Sequence, residues 1–241
     1  MCTVTFIPRD RGFLLGMNRD EQWERGRKSF PPTVTQDAIF PRDEKGGTWI
    51  AVNAFGMAFA ILNRNGTSFS KTRSRGDVIP QLLRSDTLSA AYDRTRSLQL
   101  EGTLSFTLLI FSSEDQQVSE QVWDGQGLSS ASHPWALRHW FSSGLSDEEA
   151  NRHRSRIVLD SESEVDFASP AWLRRLHRTH GNAPGPFSIC VHREQVGSVS
   201  YTEVTTDPEQ ITMSYRTGPP CQNQSEGIRL TLPSARQAPI R

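Results

Sequence analysis

Hydrophobic positions along this chain fall mostly into short runs separated by turn residues. Thr3, Val4, Thr5, Phe6 and Ile7 alternate and are rich in β-formers. Pro8-Arg9-Asp10-Arg11-Gly12 is a turn cluster, and Phe13-Leu14-Leu15-Gly16-Met17 is a second apolar run. The pair predicts a β-hairpin with a five-residue connection. Its second strand runs directly into Asn18-Arg19-Asp20-Glu21. Residues 22–45 read as an extended loop punctuated by Pro31, Pro32 and Pro41. A second hairpin follows, with strands Thr48–Asn53 and Met57–Leu62 around Ala54-Phe55-Gly56. Both strands are almost continuously apolar, so both faces should be covered. The return strand ends at Asn63, and Arg64-Asn65-Gly66 continues as a turn.

Helical spacing appears next. Asp77 can cap Val78–Leu83, and Asp86 or Thr87 can cap a segment reaching Leu98. Phe106–Phe111 and Val118–Trp123 predict a further pair of strands. A helix is expected over Asp147–Leu159, with Ser146 or Asp147 as cap and acidic residues in its first turn, and a short one over Ala171–Arg178. Ser188–His192 with Val196–Glu203 suggests a hairpin, and Gln210–Arg216 a last strand. Hairpins outnumber βαβ units, which predicts an α+β fold of mostly antiparallel sheets with helices packed outside. No repeat or interior linker divides the chain. One domain is expected over residues 1–218, with 219–241 a loosely held tail of Pro, Gln, Ser and Gly.

Composition narrows the partners. Among 241 residues, Lys+Arg and Asp+Glu both number 27, so bulk charge gives no argument for nucleic acid or an anionic membrane. Arginines cluster near 71–75, 152–156 and 174–178, and each cluster reads as solvated surface. Cys2, Cys190 and Cys221 are an odd, scattered set without CxxC spacing, so neither a disulfide framework nor a zinc site is expected, and a reducing compartment is the simpler setting. No apolar run approaches the roughly 18 residues of a membrane span. The start lacks the pattern of a secretory signal, so the expected location is the cytoplasm. Oligomeric state is left open.

Three elements carry candidate chemistry. Methionine before a small residue is commonly trimmed, which would give Cys2 a free α-amino group with a pKa of about 7.7–8.0. That amine can take the proton of its own thiol, so one residue supplies nucleophile and base; the competing reading is a small buried strand residue. Asn18-Arg19-Asp20-Glu21 is returned toward residue 2 by the hairpin. If the stretch stays extended, Asn18 and Asp20 face one way and Arg19 and Glu21 the other, so one pair can face Cys2 while the other braces the structure. A cation beside a thiol favours thiolate, and a carboxylate can orient the amine; a structural salt-bridge cluster is the alternative. Asn63, at the end of a buried run, can donate to an oxyanion or simply serve the turn.

Met-Cys at the start, Asn18-Arg19-Asp20-Glu21, Gly46-Gly47-Thr48-Trp49, the strand ending at Asn63 and Arg73-Ser74-Arg75-Gly76 together resemble one family. It is the family named for its Asn-Arg-Asp-Glu motif, also called the transport and Golgi organisation 2 family. The resemblance is dense over residues 1–85. It implies a four-layer αββα sandwich of the N-terminal-nucleophile hydrolase type and is similar in pattern to penicillin V acylases and bile-salt hydrolases, which cleave non-peptide C–N amide bonds with an N-terminal Cys. It implies catalytic roles for Cys2, Asn18, Arg19, Asp20, Glu21 and Asn63, and substrate contact for Trp49 and Arg75. This sequence departs from the acylases where their Arg and Asp offsets fall on Asn18 and Glu21, and where their second Asn has only Ser130-Ala131-Ser132 as a counterpart.

Two functions follow. The first is an amidohydrolase acting on a small-molecule substrate, with no cofactor and no metal. The alternative is a carrier of haem or another amphipathic ligand in the same cavity, since family members are linked to haem movement and lipid metabolism. Among six histidines, only His133-Pro134-Trp135 and His177–His180 form groupings of interest, and both read as surface rather than axial ligands.

Overall fold

In chain order the strands are β1 (Cys2–Arg9), β2 (Gly12–Gln22), β3 (Phe30–Val34), β4 (Ala38–Arg42), β5 (Ile50–Asn53), β6 (Met57–Asn63), β7 (Phe106–Ser112), β8 (Gln117–Trp123), β9 (Leu128–His133), β10 (Arg138–Ser142), β11 (Val196–Thr206), β12 (Gln210–Thr217) and β13 (Ile228–Pro233). The helices are α1 (Trp23–Arg27), α2 (Leu88–Ser97), α3 (Asp147–Ser161) and α4 (Pro170–Arg178). This computed structural model describes residues 2–65, 73–223 and 225–237. Met1, the Gly66 end of the 63–66 turn and the first two positions of the 71–75 basic cluster lie outside the described residues.

Two antiparallel sheets result, one ordered β10-β1-β2-β11-β12-β13 and the other β3-β4-β5-β6-β7-β8-β9. Alternation along β1 and β2 decides how they stack. Val4, Phe6, Phe13, Leu15 and Met17 point between the sheets into the main core, where Phe6 stacks on Phe111 of β7 at 5.1 Å between ring centroids. Ile7 and Leu14 point the other way, into a second cluster with Val158 of α3 and Trp172, Leu173 and Leu176 of α4. Gly16 belongs to that outer face; a Cβ there would come within 3.0 Å of Leu173 Cδ1 and His177 Nε2, so glycine lets α4 close on the sheet. Ala91 of α2 packs from the outer face of the second sheet, completing the αββα layers.

The long helices start where the sequence says. Ser146 Oγ accepts from the Glu149 N–H at 3.2 Å, beneath an acidic first turn. Thr87 caps α2 and Ser169 caps α4, with Pro170 in its first turn.

Several boundaries depart from expectation. The first hairpin turns on Asp10-Arg11 alone, because Pro8 and Arg9 stay in β1. Phe13 sends its N–H away from β1 to Thr206 Oγ1, and β10 pairs only with residues 2–6, so the missing N–H of Pro8 breaks no ladder bond. Residues 22–45 are not an open loop: they hold α1, β3 and β4. Pro31 and Pro32 are tolerated because β3 is an edge strand with a register shift between Phe30 and Thr33, and Pro41 lies beyond the part of β4 that pairs with β5. The expected helix over 78–83 is instead one 3₁₀ turn, Ile79–Leu82, preceded by another at Arg75–Asp77, since Pro80 disfavours α geometry at Ile79. Residues 188–192 make a single bridge, His192 to Gly197, rather than a strand. The segment after Pro219 is not wholly loose, because residues 228–233 pair with β12 as an edge strand. β9 and β10 escaped the hydrophobic pattern, and Ser130, Ala131 and Ser132 are exposed on an edge strand.

Candidate active site around Cys2

Strand pairing sets Cys2 directly opposite Arg19, so both side chains leave the first sheet on one face. There they meet the end of β6 and two loops. Cys2, Arg19, Glu21, Trp49, Asn63 and Arg75 all line one polar cavity of about 70 Å³, together with Asp20 and Arg25. Seven of the eight expected site residues are therefore together.

The walls interlock. The Arg19 guanidinium lies over the Trp49 ring at 3.8 Å from its centroid and hydrogen-bonds Ser29 Oγ. Glu21 accepts an ion pair from Arg25 at 3.0 Å and lies 3.6 Å from Arg19. Arg75 is anchored by donation to the Ser105 carbonyl at 3.1 Å. The two loop motifs fit backbone to backbone: the Thr48 N–H donates to the Gly76 carbonyl at 3.0 Å, and a Cβ on Gly47 would sit 3.0 Å from Gly76 Cα. Glycine at both positions is what permits Trp49 and Arg75 to reach the same cavity.

Asn18 is the exception. It faces the helices, where Nδ2 donates to the carbonyls of His177 and Ile189 at 2.8 and 3.0 Å. It braces β2 against the α4 side, as strand alternation requires.

Asp20 borders the cavity, but its carboxylate faces the same outer layer as Asn18. Its Oδ1 accepts from Ser198 Oγ at 2.6 Å, while Oδ2 stands 3.6 Å from Arg154 with no hydrogen bond among the described residues. Arg154 is fully buried and also donates to the Cys2 carbonyl, Thr3 Oγ1 and the Ser142 carbonyl. The Cys2 nitrogen donates to Ser142 Oγ at 2.9 Å. Burial pushes the Cys2 thiol up, while the Asp20 backbone N–H and the Arg19 charge pull it down. Burial likewise raises the Asp20 carboxyl, against the pull of Arg154. Burial lowers the Arg75 guanidinium, opposed by negative charge at Cys2 and Glu21.

The sequence reading missed Arg154, Ser142 and Ser198. Arg154 had a signal: it lies between Ala150 and Val158 at four-residue spacing, on the buried stripe of α3. Its neighbours Arg152 and Arg156 are solvated as expected, so the 152–156 cluster is only partly surface. His177 is a further correction, being fully buried rather than a surface residue. Nor are the cysteines all scattered: Cys190 and Cys221 converge with His180 and His192, away from the Cys2 cavity.

Two stacked antiparallel sheets between helical layers make a fold of the N-terminal-nucleophile hydrolase type. Solved structures agree on that fold. The N-acylethanolamine-hydrolyzing acid amidase ortholog of Caenorhabditis elegans matches with TM-score 0.60 at 9% identity, over 84% of this chain and 92% of that one. Conjugated bile acid hydrolase from Clostridium perfringens matches with TM-score 0.60 at 10% identity, over 99% and 94%. Penicillin V acylase from Agrobacterium tumefaciens matches with TM-score 0.50 at 12% identity, over 91% and 84%. The sequence profile of the Transport and Golgi organisation 2 family matches residues 1–149, and the chain belongs to that family. No curated protein matches it. No helix among the described residues is long and apolar enough to cross a membrane.

Proposed function

We propose that this protein is an N-terminal-cysteine amidohydrolase cleaving a non-peptide C–N amide bond in a small substrate. The carrying observation is the convergence on Cys2: its side chain shares a cavity with Arg19, Arg75 and Asn63, while its nitrogen is held by Ser142 Oγ. Once Met1 is removed, that nitrogen is an α-amine with a pKa of about 7.7–8.0. Asp20 orients it, using the carboxylate oxygen that otherwise lacks a hydrogen bond. The amine takes the thiol proton, and the thiolate attacks the amide carbon. Asn63 Nδ2 and a backbone N–H stabilise the oxyanion. The C–N bond breaks as the α-ammonium returns the proton to the leaving amine. Water, deprotonated by the same amine, then hydrolyses the thioester and frees the acid.

The fold neighbours named as an acid amidase, a bile acid hydrolase and a penicillin acylase support this reaction class. The cavity's size and its ring of Arg19, Arg25, Arg75 and Glu21 favour a short polar group at the reacting end. Cys2, Cys190 and Cys221 form no disulfide, which suits a reducing, cytoplasmic setting. The haem or amphipathic-ligand reading draws no support from this cavity: about 70 Å³ is well below the ~300 Å³ of a small-molecule pocket, and no histidine among the described residues lines it.

The test pairs intact mass with an amide-library screen. The purified chain should lack Met1 and release an amine from at least one library member, and Cys2→Ala should abolish that release while keeping the fold by circular dichroism. A retained Met1, or a Cys2→Ala variant as active as the parent, would sink the proposal.

A further inference from the structure

Far from Cys2 in sequence, three segments deliver four metal-type ligands to one point. His180 follows α4, Cys190 and His192 lie in the segment leading to β11, and Cys221 lies in the turn after β12. Their ligand atoms all fall within 4.8 Å of one another. His192 Nε2 lies 3.6 Å from Cys190 Sγ and 3.2 Å from Cys221 Sγ. The His180 and His192 rings meet edge to face at 4.9 Å, and His180 Nε2 is buried without a hydrogen-bond partner.

We propose that His180, Cys190, His192 and Cys221 form a tetrahedral structural zinc site. Zinc bonds of about 2.3 Å to sulfur and about 2.0 Å to nitrogen place neighbouring ligand atoms roughly 3.3–3.8 Å apart. The cluster is already near that size, so closing it needs only small side-chain adjustments. Two thiolates and two neutral imidazoles cancel the charge of a divalent cation, which suits a partly buried site. Two sulfur and two nitrogen donors in tetrahedral order select zinc over calcium, magnesium or manganese, which take oxygen. Four protein ligands leave no open position, so the ion is structural rather than catalytic.

The backbone around the cluster is already fixed. The Cys190 N–H donates to the Thr179 carbonyl at 3.0 Å, and the His192 N–H to the Gly185 carbonyl at 3.2 Å. The N–H groups of Gln222 and Asn223 both donate to the Pro219 carbonyl at 3.0 Å, holding the turn that carries Cys221. Cys190 and His192 are two apart in sequence, and both side chains reach the cluster. Between them, the Val191 N–H donates to Ser198 Oγ, which in turn donates to Asp20. The ion would thus secure the segment that supports Asp20, though its binding does not depend on any reaction at Cys2.

The test uses the full chain, untagged and purified with reductant and without chelator. Elemental analysis should find zinc at one equivalent per chain. Exchange into cobalt(II) should give the visible bands of a tetrahedral ion and a thiolate-to-cobalt charge-transfer band. Cys190→Ser and Cys221→Ser should each lose stoichiometric zinc and weaken that band, whereas Cys2→Ala should leave both unchanged. The wild-type cobalt spectrum keeps the proposal testable even if a ligand variant misfolds. Substoichiometric zinc after growth in zinc-supplemented medium overturns it. So does cobalt binding without a thiolate band, or a Cys190–Cys221 disulfide persisting under reductant.

Discussion

The two faces of β2 near Cys2 differ in origin and in chemistry. On the face toward the second sheet, Arg19 and Glu21 meet Trp49, Asn63 and Arg75, all within the first 76 residues. On the face toward the helices, Asn18 and Asp20 meet Arg154, His177, Ile189 and Ser198, all from the last hundred residues. One face forms a cavity wall with charges partly open to water. The other is a buried polar layer in which each charge depends on a distant partner. Residues that could touch a substrate therefore come from local hairpins, while those that hold the hairpins in place come from across the fold.

That contrast can be broken from the buried side first. Arg154→Met leaves Asp20 buried without its cation, and should destabilise the fold by about 3–5 kcal/mol in urea unfolding. Adding Asp20→Asn to it should recover part of that loss; equal losses for the single and double variants would deny the coupling. On the cavity face, Asn63→Ala should reduce turnover by about 10²–10³-fold with little change in the unfolding midpoint. A variant that unfolds without a specific loss of turnover would make Asn63 a turn residue only.

The buried layer should also respond to pH. His139 and His177 share the Thr5 hydroxyl at 3.0 Å each, and burial depresses them to about 4 and about 3. The charges of His139 and Arg154 depress His177 further. Both rings thus stay neutral in the folded protein while the unfolded chain takes up protons below about pH 6.5. Stability should be full above that pH and fall as pH drops toward the folded values, by about 1.4 kcal/mol per ring at pH 5.5. Melting curves from pH 7 to 5 should show this decline, and His177→Gln should flatten it; an unchanged slope would place the proton uptake elsewhere. The buried amide of Asn18 is tested by Asn18→Ala. It removes two donor contacts to backbone carbonyls and should cost about 1–3 kcal/mol in unfolding, with turnover per folded molecule unchanged. A loss of turnover at preserved stability would return Asn18 to the cavity's chemistry.

Much of the fold was legible because its core strands and capped helices carry strong local signals. β1, β2, β5, β6, β7 and α3 follow from apolar alternation, runs and caps alone. The edge strands β3, β9, β10 and β13 were not legible, since an edge strand is half solvated and tolerates proline and polar residues. At the site, Cys2, Arg19, Trp49, Asn63 and Arg75 were legible as motif residues, and alternation predicted that Asn18 and Asp20 would part from Arg19 and Glu21.

The sequence by itself determined which residues lie on strands, which of them alternate, and where the helices begin, because these depend on neighbours a few positions away. Tertiary structure alone decided which face of the tetrad meets Cys2, because that is set by the register Cys2 to Arg19 and by which layer each sheet face covers. It also decided that Arg154 is the partner of Asp20 and that His180, Cys190, His192 and Cys221 converge. Such contacts join residues far apart in sequence, as Asp20 and Arg154 are. No local pattern encodes them, since what brings them together is the burial of sheets against helices, and their own spacing along the chain is free.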